Sequence, residues 1–171
     1  VADILILAGD IGSFYRMEQL TIFLKSVSSL FCAVLYIPGN HEYYSRKDES
    51  AKSMEQLIAG MHRVAATIKN LYVLDRDSAV IEGVCIVGCT LWSKPMSHVP
   101  KYIVRIQNMS TKKYGNMHRK DLLFIEKMIT YCNRENLRMI VVTHHCPSYR
   151  LLTDIRWKKD KFRSLYASDL D

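Results

Sequence analysis

Ile37-Pro38-Gly39-Asn40-His41-Glu42 is the stretch whose reading decides the fold. The apolar run before it, residues 33–37 (AVLYI), predicts a short buried strand, and Pro38-Gly39 ends that strand abruptly. Behind the break a loop carries an amide oxygen on Asn40, which suits a hard cation, and an imidazole on His41 that can exchange a proton near neutral pH. Loops at strand ends are where chemistry usually sits. An ordinary turn with a surface histidine would give the same six residues, so other strand ends must be compared.

Two of them carry the same kind of cargo. Residues 2–8 (ADILILA) predict a strand buried on both faces, as in a parallel sheet, running into Gly9-Asp10. Leu20, Phe23, Leu24, Val27, Leu30 and Phe31 recur at helical spacing, so strand, helix and strand form one βαβ unit. Its right-handed crossover brings Asp10 and Asn40 to the same sheet edge. Residues 138–142 predict a third buried strand, which feeds Thr143-His144-His145-Cys146-Pro147-Ser148. Open α/β sheets bind ligands at such carboxyl ends. A carboxylate, an amide oxygen and an imidazole together suit manganese, iron or zinc.

Between these points, residues 49–69 predict a second amphipathic helix through Met54, Leu57, Ile58, Met61, Ala65 and Ile68. Short strands are expected at 71–74, 79–82 and 84–87, the last entering Gly88-Cys89-Thr90-Leu91-Trp92. Residues 93–118 lack clear periodicity and are expected to form an irregular insertion or substrate-side loop, with helical spacing resuming over 121–132.

The chain of 171 residues is long enough for one domain with a sizeable core, and its apolar fraction of 49% excludes a disordered or fibrous chain. Five scattered cysteines with no Cys-x-x-Cys argue against a disulfide framework or structural zinc and for a reducing, cytoplasmic setting. No apolar run approaches the length of a membrane span. The net charge of +7 fits a polyanion binder, a phosphate-handling enzyme or a basic surface alike.

Gly9-Asp10, Gly39-Asn40-His41-Glu42 and Thr143-His144-His145-x-Pro147 together resemble the calcineurin-like metallophosphoesterase family in order and spacing, over nearly the whole chain. Gly88-Cys89-Thr90-Leu91-Trp92 and Tyr166-Ala167-Ser168-Asp169-Leu170 also resemble one uncharacterised branch of it. The resemblance implies a layered α-β-β-α sandwich and two divalent metal ions (manganese, iron or zinc). It implies that Asp10 bridges the ions, that Asn40 and His144 bind the second, and that His41 acts on the leaving group. A metal-bound hydroxide would attack a phosphate mono- or diester in a phosphorylated small molecule or nucleotide. Glu42 is expected to fix the loop.

Two family motifs, an opening Asp-x-His and a closing Gly-His-x-His, do not occur in this sequence. With Val1 opening the chain almost inside a strand, the resemblance implies a domain lacking its first strand and its C-terminal strands, inactive by itself. An uncovered edge is then expected beside the first strand.

The other histidines divide by position. His145 is expected on the opposite side from His144 by strand alternation, as substrate contact, support for the metal ligands or structural residue. His118 is expected to be exposed near a helix start and His62 to face solvent, while His98 could face substrate. Cys146 reads as a small buried packing residue. Arg156, Lys158, Lys159 and Lys161 are interleaved with Trp157 and Phe162, a composition that can track a nucleic-acid backbone or form a solvated helix face. A non-catalytic polyanion-binding module on the same fold is therefore the alternative to the enzyme.

Overall fold

The computed structural model describes residues 2–46 and 49–171, so Val1 lies outside the described residues. Strand β1 (Ile4–Ala8) pairs in parallel with β2 (Ala33–Ile37), and β2 with β3 (Leu71–Val73). A second sheet joins β4 (Asp77–Ile81) antiparallel to β5 (Val84–Cys89), and β5 parallel to β6 (Arg138–Thr143).

Alternation along the central strands divides the interior into layers. On β2, Val34 and Tyr36 face helices α1 (Met17–Ser28) and α2 (Met54–Ala65), packing with Leu20, Leu24, Leu57 and Met61. Leu35 and Ile37 point the other way and meet Leu74 and Ile86 between the two sheets. Cys85 and Val87 on β5 then face helix α3 (Thr111–Arg134) through Cys132, Phe124 and Met128. The result is helix, sheet, sheet, helix, as expected from sequence. A one-turn helix α4 (Ile155–Lys158) follows β6.

Three sequence expectations are corrected. Residues 111–118 are not irregular: α3 begins at Thr111, capped by the Ser110 side chain, which accepts the Lys113 N–H. Gly115 costs helix propensity and few apolar residues mark that first turn, which hid the helix from pattern reading. Helix α2 is shorter than 49–69, because Ser53 and Gln56 form a reciprocal capping box that fixes its start. Strands β1 and β6 are not fully buried: each is an edge strand, and Ile6, Ile140 and Val141 are 39%, 49% and 39% exposed. The His144 ring just past β6 bonds the Ala8 carbonyl at the end of β1, so these two edges lie on one side of the sandwich. Among the described residues β1 has no partner beyond β2.

The sheets approach closely at Gly88, near the carboxyl end of β5. A Cβ there would stand 2.5 Å from Leu74 Cβ and 2.9 Å from Ile37 Cγ1. The nearer neighbour cannot yield by rotamer change, since it is itself a Cβ. Gly88→Ala is therefore expected to destabilise the fold by about 1–3 kcal/mol, the usual cost of overpacking. A urea titration should show a lowered midpoint with an unchanged slope.

Candidate metal centre

The carboxyl ends of β1, β2 and β6 converge, and the side chains just beyond them form one cluster. The loops can touch because two residues lack a side chain. A Cβ on Gly9, whose φ is +86°, would collide with the His144 ring, and one on Gly39 with the Asp10 carboxylate. Asp10 itself has a left-handed backbone, φ 58°, which turns its carboxylate towards the β2 end.

Glu42 holds this arrangement from beneath. It is fully buried, and its carboxylate accepts the backbone N–H groups of Gly39 (2.9 Å), Asp10 (3.0 Å), Ile11 (2.7 Å) and Gly12 (3.4 Å). The Tyr36 hydroxyl donates to the same group at 3.0 Å. Burial pushes the Glu42 carboxyl above its usual range, and the Ile11 and Asp10 N–H donors oppose that shift. Thr90 adds a second brace, donating its hydroxyl to the Pro38 carbonyl at 2.7 Å.

Above Glu42 sits a cluster of lone pairs. His144 Nδ1 lies 2.9 Å from the Ala8 carbonyl, which can only accept, so Nδ1 carries the proton. In the neutral ring Nε2 is then an acceptor, yet it faces Asn40 Oδ1 at 2.9 Å and Asp10 Oδ1 at 3.3 Å. The Asn40 amide is oriented by its Nδ2, which donates to the Tyr44 hydroxyl at 2.7 Å. In this arrangement three acceptors converge with no hydrogen between them, and a cation placed there would be bound by all three.

His41 stands at the rim. Its backbone N–H donates to Asp10 Oδ1 at 3.0 Å, its Nδ1 is 3.9 Å from Asp10 Oδ2, and its ring stacks on Tyr44 with centroids 4.5 Å apart. The side chain is 60% exposed.

His145 corrects the alternation argument. Strand β6 ends at Thr143, so the two-residue period does not extend to the histidines, and both turn to the same side. His145 Nε2 lies 3.3 Å from Asn40 Oδ1. The ring is buried against Trp92, edge to face at 5.7 Å, and Nδ1 has no hydrogen-bond partner. Burial, then the neighbouring His144 and His41, lower its pKa to about 3, so it stays neutral.

The sequence reading missed the supports. Trp92 is held by its N–H to Asp121 Oδ2 (2.8 Å), and Asp121 in turn binds Arg76 at 2.8 Å. His118, expected to be exposed, is buried within α3 and its ring bonds the Trp92 carbonyl. The three-residue spacing of His118 and Asp121, which puts them on one helix face, was the signal the sequence offered. His62 and His98 are exposed, and Cys146 is half-buried at the cleft.

Asp10, Asn40, His41, His144 and His145 all line one cleft of about 480 Å³. Of the basic run, Trp157 alone reaches it; Arg156, Lys158, Lys159 and Lys161 are exposed elsewhere. Among the described residues no three or more His, Cys, Asp or Glu side chains gather as a metal site; the cluster here has one Asp, one His and one Asn. No described helix is long and apolar enough to cross a membrane.

The calcineurin-like phosphoesterase family model matches residues 1–169. An uncharacterized protein of Acanthamoeba polyphaga mimivirus is 22% identical over 157 residues, which are 85% of this chain and 55% of that protein. The crystal structure of the phosphopantetheinyl hydrolase from Mycobacterium tuberculosis superposes with a TM-score of 0.63 at 15% identity, over 98% of this chain and 66% of that one. This chain therefore spans between about half and two thirds of the length of these relatives.

Removing the Glu42 carboxylate should leave buried N–H groups without acceptors. Glu42→Ala is expected to cost at least about 3 kcal/mol, against about 1 kcal/mol for Tyr36→Phe, which removes one donor. Equal denaturation midpoints for the two variants would show that the carboxylate does not organise the loops.

Proposed function

This chain belongs to the calcineurin-like phosphoesterase family, and from that premise we propose that its cleft serves metal-assisted hydrolysis of a phosphate mono- or diester. The observation that carries the reading is the trio of facing lone pairs on Asp10 Oδ1, Asn40 Oδ1 and His144 Nε2. A divalent cation resolves that conflict without protonating His144, and the mixed oxygen and nitrogen donors suit manganese, iron or zinc. Asn40 and His144 would hold one ion, and the Asp10 carboxylate would be shared with a second. Ions of this kind take about six donors when hard, so these three side chains are part of the coordination and not the whole of it. Bound there, such ions polarise phosphoryl oxygens and lower the pKa of water enough to make it a nucleophile near neutral pH.

The protein's own groups do the rest. Ala8 fixes the His144 tautomer through its carbonyl, and with Asn40 Nδ2 bonded to the Tyr44 hydroxyl both side chains present lone pairs inward. Glu42 sets the spacing of the two loops and stays clear of the ions. His145, buried and neutral, meets the Asn40 oxygen from behind. His41 is exposed at the rim with its ring held flat by Tyr44, where it can reach the leaving oxygen of an ester and supply a proton.

The roles separate by measurement on the complete protein. Asn40→Ala and His144→Ala are expected to lose metal affinity and activity together. His41→Ala should lower turnover by about 10²–10⁴-fold with metal content nearly unchanged. The loss should be smaller for an aryl ester than for an alkyl ester, because an acidic leaving oxygen needs little protonation. Equal losses on both esters, or a metal-free His41→Ala protein, would assign His41 a different role. A wild-type protein that binds polyanions but neither metal nor phosphoester would instead favour a binding module.

A further inference from the structure

Resting on the phosphoester reading above, we propose that the ester this cleft accepts carries an apolar, ring-bearing alcohol or phenol, held against the indole of Trp157. The cleft has two unlike ends. Asp10, Asn40, His41 and His144 supply one, and the remaining wall includes Ile103, Val104, Leu152, Trp157, Leu165 and Tyr166. Its volume of about 480 Å³ lies within the range that encloses a small molecule.

Trp157 is 50% exposed, whereas Trp92, the other tryptophan, is buried. Tyr166 packs edge to face with it at 5.5 Å. This wall is tied to the phosphoryl end through the backbone. Cys146 N–H donates to the Tyr166 carbonyl at 3.0 Å, and Ser168 N–H to the Cys146 carbonyl at 2.9 Å. The platform therefore keeps a fixed place beside His144 and His145.

Two polar side chains of the wall are already engaged. The Tyr166 hydroxyl donates to the Trp157 carbonyl at 3.3 Å, and Cys146 Sγ donates to the Ser148 carbonyl at 3.1 Å. Arg156 is turned onto Asp154, with Nη2 2.6 Å from Oδ2. A nucleobase would lose hydration of its polar edges there and gain few partners for them, the Trp157 indole N–H being a donor only. An apolar ring loses nothing, and gains burial and an aromatic contact.

Calorimetry on the manganese-loaded complete protein tests this with benzylphosphonate, methylphosphonate and an adenosine phosphonate. Benzylphosphonate is expected to bind at least about tenfold more tightly than the other two, and to quench tryptophan fluorescence. Trp157→Ala should weaken benzylphosphonate about tenfold, and Trp157→Phe, which keeps a ring, should retain most of the preference. Equal affinities for benzyl- and methylphosphonate, or tightest binding of the adenosine phosphonate, would overturn the apolar-ring assignment while leaving the phosphoester reading intact. Failure of every phosphonate to bind would overturn both.

Discussion

A single buried carboxylate joins the parts of this molecule that matter for chemistry. Glu42 gathers four backbone N–H groups from the β1 and β2 loops and one tyrosine hydroxyl from within β2. Desolvating a carboxylate costs several kcal/mol unless hydrogen bonds compensate, and here they come from the very segments that must be aligned. The penalty and its compensation together make the loop geometry specific. A loop that drifted would leave Glu42 unsatisfied, so Asp10 and Asn40 are held in register by the cost of failing to be.

The second sheet completes the frame through close approach. Gly88 lets β5 come against Ile37 and Leu74, and Thr90 reaches across to the Pro38 carbonyl. Trp92 then carries the influence of the far helix inward. Its backbone is fixed by Asp121 and His118 on α3, and its ring forms one wall of the His145 pocket. Both sheets and the α3 layer thus have a residue that bears on the site, although few of them touch it.

The electrostatics of the cleft derive from this frame. Neighbouring acceptors on Asp10, Asn40 and His144 concentrate negative potential at the strand ends, while His145 stays neutral because burial disfavours its charge. The formal charge of +7 is carried elsewhere, and the basic residues near α4 stand outside the cleft lining. On the proposed reading, selectivity in the cleft falls to a localised acceptor cluster and an apolar wall.

Sequence alone determined the layers and the principal residues. Apolar runs ending at Gly9-Asp10, Gly39-Asn40 and Thr143-His144 fixed three strand ends, and the βαβ crossover has one hand, so Asp10 and Asn40 had to meet. The α3 boundary, the exposure of β1 and β6 and the direction of His145 needed the tertiary structure. A capping serine can outweigh a poor helical pattern. An edge strand and a central strand share the same composition, because burial depends on the neighbour and not on the strand. Alternation holds only while a residue remains in the ladder, and His145 lies beyond it. The supports around Trp92 and the cleft wall at Trp157 were likewise decided in three dimensions. They join residues tens of positions apart, and no local period in a chain encodes such a meeting.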